Sequence, residues 1–287
     1  TAYNTNILAP RKTVGVSIDY FPSTTQPAFC ERYTLTNLTE YAIWVEVPEI
    51  NTTYTTEPSQ GVNGAYTLNV ASEGHCTRKL APGENLTFGV VIRGRKDGEE
   101  WPAISVETEL AARQAYLKSI NSEMILTTPD QTLNRAFAFA KIRATESIIR
   151  TKGGLMHAPG GEAYYAAIWA NDQAEYANPL FGMMHYNNAK ESALNSFRHF
   201  ARYMNDEYRP IPSSIIAEGD SYWNGAGDRG DAAMIAYGAA RYALTRSDKA
   251  EAEELWPLIE WCLEYCKRQI NDKGVVKSDK DELEGRF

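Results

Sequence analysis

Acidic and aromatic side chains come together at three places in this chain. In "YYAAIWANDQAEY" the residues are Trp169, Asp172 and Glu175; in "EGDSYWNGAGDRGD" they are Glu218, Asp220, Trp223, Asp228, Arg229 and Asp231, set among glycines. The stretch "SDKDELEGRF" adds Asp279, Asp281, Glu282 and Glu284. Carboxylates accept hydrogen bonds from hydroxyl groups, and aromatic faces cover the apolar face of a pyranose, so this pairing suits a sugar ring. Carboxyl groups in pairs can also divide acid and base work, one protonating a leaving oxygen while the other activates water or attacks carbon. Each cluster has a plainer reading too. Asp172 and Asp231 stand where helix N-caps would stand, Asp228, Arg229 and Asp231 could form a structural ion-pair network, and "KDELEG" on its own reads as a solvated acidic turn.

The bulk properties narrow the choice of partner. The net charge of −8, from 37 acidic against 29 basic residues, repels phosphate backbones and anionic lipid surfaces, so neither nucleic acid nor membrane is an expected partner. No window approaches the length of apolar chain needed to span a bilayer. Only four histidines and four cysteines are present, without metal-ligand spacing, so no metal and no cofactor is expected. Cys262 and Cys266 lie four apart on an expected helix and read as core, whereas Cys30 and Cys76 could pair if strands bring them together or stay as two thiols. Asn37, Asn51 and Asn85 sit in N-x-S/T triplets, which are frequent by chance in Thr-rich strands.

The elements that must position the clusters come in two kinds. Short runs such as "TVGVSIDYF", "AIWVEVPEI" and "NLTFGVVIRG", separated by "APGEN" and "RKDGEE", predict an antiparallel β-sandwich over residues 1–104. A helix-forming linker follows over 105–128, and 129–287 reads as paired helices at about 133–150, 172–184, 189–204, 231–244 and 249–270. The 133–150 helix is apolar around most of its circumference and is expected to be covered on several sides. The three acidic clusters fall in the long loops after alternate helices, where loop length itself suggests function, and a ring of helix pairs would gather them at one mouth.

This order of elements resembles the six-hairpin (α/α)6 glycosidases, particularly the glucoamylase and sugar-phosphorylase types with an N-terminal supersandwich. The resemblance implies a multi-domain β + α protein, with a supersandwich-like β-sandwich followed by the first part of an (α/α)6 toroid. In the glucoamylase pattern the first loop closes with an aromatic residue and an Arg-Asp pair that grips the sugar. Here Trp169 to Asp172 corresponds, with Asn171 in place of the Arg. The second loop of the family carries a Trp and Arg-Asp-Gly-Pro-Ala, to which Trp223 and Arg229-Gly230-Asp231-Ala232-Ala233 are similar with Gly and Asp exchanged. The third carries Asp-x-x-Glu with the Glu as general acid, which makes Glu284 the candidate acid and Glu282 its nearest competitor. Trp169, Asp172, Trp223, Asp228, Arg229 and Asp231 then form the sugar subsite.

The expected activity is inverting hydrolysis of a glycosidic bond in an oligo- or polysaccharide. The alternatives are a phosphorylase of the same architecture and a non-catalytic carbohydrate-binding protein; a toroidal polysaccharide lyase fits the domain order less well. Five helices against the twelve of a full ring imply that this is a fragment of a bacterial chain, partnered by the remainder of its own toroid and expected to be inactive alone. A periplasmic or extracellular location follows from the substrate class.

Overall fold

The structure is a computed structural model of the 287-residue chain and describes residues 13–61, 64–160, 167–216, 221–223, 225 and 227–280. The described residues fall into two compact units that divide between Ser119 and Ile120, inside the stretch read as a linker.

The first unit is an antiparallel sheet of five strands in the order β1 (Val14–Pro22), β2 (Ala28–Asn37), β7 (Asn85–Lys96), β5 (Tyr66–Glu73) and β4 (Asn51–Thr55). A two-stranded ribbon of β3 (Ile43–Val47) and β6 (Cys76–Leu80) accompanies it. Alternation along each strand gives the sheet two apolar faces. The register Phe21, Cys30, Val91, Ala71 runs across one face, and Phe21, Cys30 and Val91 pack there with Val106 from the start of α1 (Val106–Ser122). Gly89 allows that approach, because a Cβ there would lie 2.5 Å from the Val106 side chain. The Glu73 carboxylate accepts from the Val106 N–H at 2.9 Å, placing negative charge at the positive end of the helix. On the opposite face Leu35, Leu86 and Phe88 pack with Val47 and Leu80 of the ribbon. Cys30 and Cys76 belong to these two different clusters, one on each side of the sheet, and both are free thiols.

The second unit contains α2 (Gln131–Glu146), a hairpin of β8 (Ile148–Thr151) and β9 (Gly154–His157), and β10 (Ala167–Trp169). A π-helical turn (Asp172–Ala177) leads into α3 (Asn178–Met183), followed by α4 (Asn187–Ala201), β11 (Ser214–Ile216), β12 (Tyr222–Trp223), α5 (Asp231–Arg246) and α6 (Lys249–Arg268). No described helix is long and apolar enough to cross a membrane.

Helix α2 differs from expectation at both its end and its surroundings. It stops at Glu146, where the Thr145 hydroxyl turns back onto the Lys141 and Ile142 carbonyls and the Ser147 N–H caps the last turn. The β-branched Ile148, Ile149 and Thr151 with Gly154 at φ +100° then make a hairpin instead of more helix. Its buried residues are Lys141 and Thr145, while Leu133 and Phe139 stay exposed. Lys141 donates to the carbonyls of Ile120 and Glu123 at the C-terminal end of α1, a position that favours a cation, although burial lowers the pKa of its ammonium.

Close helix packing holds the rest of the unit. The Ala-rich α5 meets the π-helical turn at Gly238, where a Cβ would lie 2.4 Å from the Ala174 carbonyl oxygen. Tyr242 of α5 packs beside Phe197 of α4 with ring centroids 6.0 Å apart.

Candidate functional site

The first two loops are not structureless. β10 from the first pairs antiparallel with β11, which pairs with β12 from the second. The register Trp169, Ser214, Trp223 puts both tryptophans on one face of this small sheet, flanking the middle strand. Their ring centroids lie 5.4 Å apart with the planes tilted by 54°.

Behind the indoles stands Arg229, with its guanidinium carbon 5.5 Å from the Trp169 ring centre and 5.9 Å from that of Trp223. A cation placed over two electron-rich ring faces fixes their orientation. Arg229 is fixed in turn. Its Nε donates to Ser213 Oγ at 3.0 Å, the Ser213 hydroxyl donates to Asp231 Oδ2 at 2.7 Å, and the Arg229 backbone N–H reaches the same oxygen at 3.3 Å. The guanidinium also pairs with Asp231 at 3.6 Å, and the two side chains are only 3% and 1% exposed. Burial raises the pKa of the Asp231 carboxyl, against the opposing pull of Ser213 and Arg229. Asp231 is therefore not a helix cap. The N-cap position of α5 is Gly230 in the left-handed region at φ +88°, and the Asp231 carboxylate turns inward to the network.

Asp228 anchors the other end of the loop. It accepts from the Tyr265 hydroxyl at 2.6 Å and from the Gly230 N–H at 2.8 Å. Burial first, then the bond to Asp228, raises the pKa of the Tyr265 hydroxyl. The beginning of the third acidic stretch is tied to the same residue: the Asp228 N–H donates to Asp279 Oδ2 at 3.0 Å, and the Asp228 carbonyl accepts from the Asp279 and Lys280 N–H groups at 2.8 and 3.0 Å. Gly227, at φ +74°, lies against this contact, and a Cβ there would stand 2.7 Å from Asp279 Oδ2.

The structure thus brings Trp169, Trp223, Arg229 and Asp231 together and joins Asp228 to the start of the third stretch. Asp172 opens the π-helical turn three residues after Trp169, inside the helix and not as its cap. A π-helical turn is a rare geometry that recurs at functional sites. It places Gln173 inward, where the side-chain amide donates to the His157 carbonyl at 2.7 Å and lies 3.3 Å from His157 Nδ1. Burial pushes the His157 imidazole down to about 4. Glu282 and Glu284, with Asp281, Glu218 and Asp220, lie outside the described residues. Among the described residues no group of His, Cys, Asp and Glu is arranged to hold a metal ion.

Ser213 and Tyr265 escaped the sequence reading. Neither belongs to an acidic cluster, and each reaches the site only when β11 or α6 is folded beside it. Asp279 was within view as part of the acidic stretch, but its tie to Asp228 spans 51 residues.

Against known proteins, no family model and no curated sequence matches the chain. Among solved structures, the chain is similar to a candidate kojibiose phosphorylase from the human microbiome, with a TM-score of 0.55 and 10% identity over 82% of this chain. The chain spans 40% of that protein's length. A bacterial glucoamylase complexed with acarbose (TM-score 0.39, 10% identity, 90% of this chain and 55% of that one) overlaps more loosely. So does a family 76 glycoside hydrolase from a bovine Bacteroides thetaiotaomicron strain (TM-score 0.37, 8% identity, 94% and 67%). The fold of this chain is similar to the six-hairpin glycosidase-like fold.

Proposed function

We propose that this chain is part of a carbohydrate-active enzyme, a glycoside hydrolase that cleaves a glycosidic bond in an oligo- or polysaccharide with inversion. The observation that carries the reading is the Trp169 and Trp223 pair, mounted on the buried Arg229, Ser213 and Asp231 network. Two indoles held at a fixed tilt offer an apolar surface for a sugar ring, and the cost of ordering them has already been met by the fold. In this reading Trp169 and Trp223 cover the sugar, with Asp172 beside them, while Arg229 and Asp231 hold the indoles from below. Asp228 links them to the segment that leads into Glu282 and Glu284.

Glu284 is the general acid in this proposal and Glu282 the competitor. Inversion requires a second carboxylate about 6.5–9.5 Å from the acid, leaving room for water. The partner carboxylate is assigned to the remainder of the toroid, and a β-sandwich with a partial (α/α)6 ring is the architecture that goes with it. A bacterial periplasmic or extracellular setting follows from the substrate class.

A phosphorylase is the second reading, favoured by the similarity to the candidate kojibiose phosphorylase. Phosphate would then take the place of water and no base would be needed. The two separate in one experiment. The full-length protein is incubated with aryl glycosides and oligosaccharides, with and without inorganic phosphate, and the anomeric products are followed by NMR. A hydrolase releases the inverted sugar without phosphate, whereas a phosphorylase gives a sugar phosphate only when phosphate is present. Sugar binding with no turnover in either arm, unchanged by Glu284→Gln, would leave a binding protein.

A further inference from the structure

The middle strand of the small three-stranded sheet carries a polar group that the folded chain does not use. Residues directly opposite one another in antiparallel strands point their side chains to the same face. Ser214 stands opposite Trp169 on one side and Trp223 on the other, so its side chain lies between the two indoles. The strands bearing the tryptophans are two strand spacings apart, roughly 9–10 Å, yet the ring centroids are separated by only 5.4 Å. The rings therefore lean toward each other over the serine, which is 1% exposed. Its Oγ is sealed from water and has no hydrogen-bond partner. Other buried serines of this unit are paired: Ser213 donates to Asp231 and accepts from Arg229, and Ser196 donates to the Ala193 carbonyl and accepts from Asn178. A buried hydroxyl without a partner costs stability that an alanine methyl of nearly the same size would not. The fold alone gives no reason for a serine here.

We propose that Ser214 is the specificity-determining residue of the tryptophan pair, its hydroxyl bonding one hydroxyl group of a pyranose that displaces an indole edge as it binds. The inference rests on the proposed sugar-binding reading of Trp169 and Trp223 and deepens it. Two indoles supply apolar area, but they discriminate weakly among pyranoses, which share apolar faces. A hydroxyl between them asks for more, because it requires a polar group at one ring position. Ser214 Oγ both donates and accepts, so it suits a sugar hydroxyl in either role. Its removal from water has already occurred on folding, and pairing it with the sugar costs the protein no further desolvation. A sugar lacking that hydroxyl would leave Ser214 buried and unpaired in the complex, which is how a polar site rejects an analogue. A hydroxyl that only packs against the indole faces would serve the fold and show no such discrimination.

The test uses the full-length protein and compares wild type, Ser214→Ala and Trp223→Ala by NMR titration. The probes are the methyl pyranosides of glucose, galactose and mannose, and then the monodeoxy analogues of whichever binds best. Ser214→Ala is expected to weaken binding of the parent glycoside by roughly tenfold. One deoxy analogue should show a similar loss toward wild type, yet bind Ser214→Ala no worse than the parent does. The denaturant midpoint of Ser214→Ala should equal or exceed that of wild type, since no bond within the protein is lost. Unchanged affinity in Ser214→Ala, with binding lost in Trp223→Ala, overturns the role of Ser214 and leaves the sugar surface standing. An equal loss in Ser214→Ala for the parent and every deoxy analogue, with a lowered midpoint, marks the hydroxyl as structural and also overturns the proposal. If no glycoside binds the wild type, or if Trp223→Ala binds as well as wild type, the sugar-binding reading fails and takes the proposal with it.

Discussion

In the β unit the side chains sealed from water are mainly apolar, Phe21, Cys30, Val91 and Val106 on one face of the sheet and Val47, Leu80 and Leu86 on the other. Its ion pair between Arg32 and Glu107 lies at the surface at 2.6 Å. Beside the small three-stranded sheet of the second unit charged side chains are sealed in as well: Asp228, Arg229 and Asp231 are all buried, with Ser213 bonded to both Arg229 and Asp231 and Tyr265 bonded to Asp228. An apolar cluster stabilises by area removed from water and tolerates substitutions that keep volume. A buried ionic network gains little net stability over an apolar replacement but fails badly when one member is removed. The difference separates a part that supports the fold from a part that holds side chains in one chosen geometry.

The contrast predicts a graded series of effects. The largest belongs to Asp231→Ala, which leaves Arg229 buried without its carboxylate and should cost about 3–5 kcal/mol in denaturant unfolding of the second unit. A loss below about 1 kcal/mol would mean that Arg229 is less enclosed than its 3% exposure indicates. Leu80→Ala should destabilise the β unit by about 2–5 kcal/mol through the lost burial and the cavity left behind, with no change in sugar binding. If sugar affinity falls as well, the division of labour between the units is wrong.

Acidification gives the next effect. The unfolded chain protonates His157 near 6.5, whereas the folded chain holds it neutral down to about 4. Between those values the unfolded state binds more protons, so stability falls as pH drops through the window, by up to on the order of 3 kcal/mol. In His157→Asn that part of the slope in midpoint against pH should vanish, and an unaltered slope would assign it to other groups. The smallest effect is expected for Glu107→Gln, where an exposed pair should contribute at most about 1 kcal/mol. A larger loss would show that the β unit also depends on polar anchoring.

Much of this architecture is legible in the sequence where local pattern decides it. The strand runs from Val14 to Lys96 and the helices beginning at Asp231 and Lys249 follow from alternation, helical spacing and turn residues. The aromatic and acidic clusters at Trp169 and Trp223 could be picked out because their residue types are unusual together. What could not be read was pairing across distance. Nothing local to "AIW", "SII" or "YW" says that these pieces form one sheet, since each is too short to carry an alternating pattern. The same limit hid Ser213 and the clasp from Tyr265 to Asp228, and it made Asp231 look like a cap when its carboxylate turns inward to Ser213. Helix α2 misled in the other direction. Its apolar circumference suggested cover on several sides, yet the group it buries most deeply is the stem of Lys141, drawn in by the carbonyl end of α1.

The central claim is that the tilted pair Trp169 and Trp223 is the surface on which a sugar rests. Titration of the full-length protein with the oligosaccharide it binds best, followed by isothermal calorimetry, tests this most directly when Trp223→Ala is set beside Trp44→Ala, a tryptophan of the β unit that is 70% exposed. The account predicts that Trp223→Ala weakens binding at least about tenfold, the loss expected for an aromatic anchor, while Trp44→Ala leaves affinity unchanged. Equal affinity in wild type and Trp223→Ala, or a loss confined to Trp44→Ala, would contradict it.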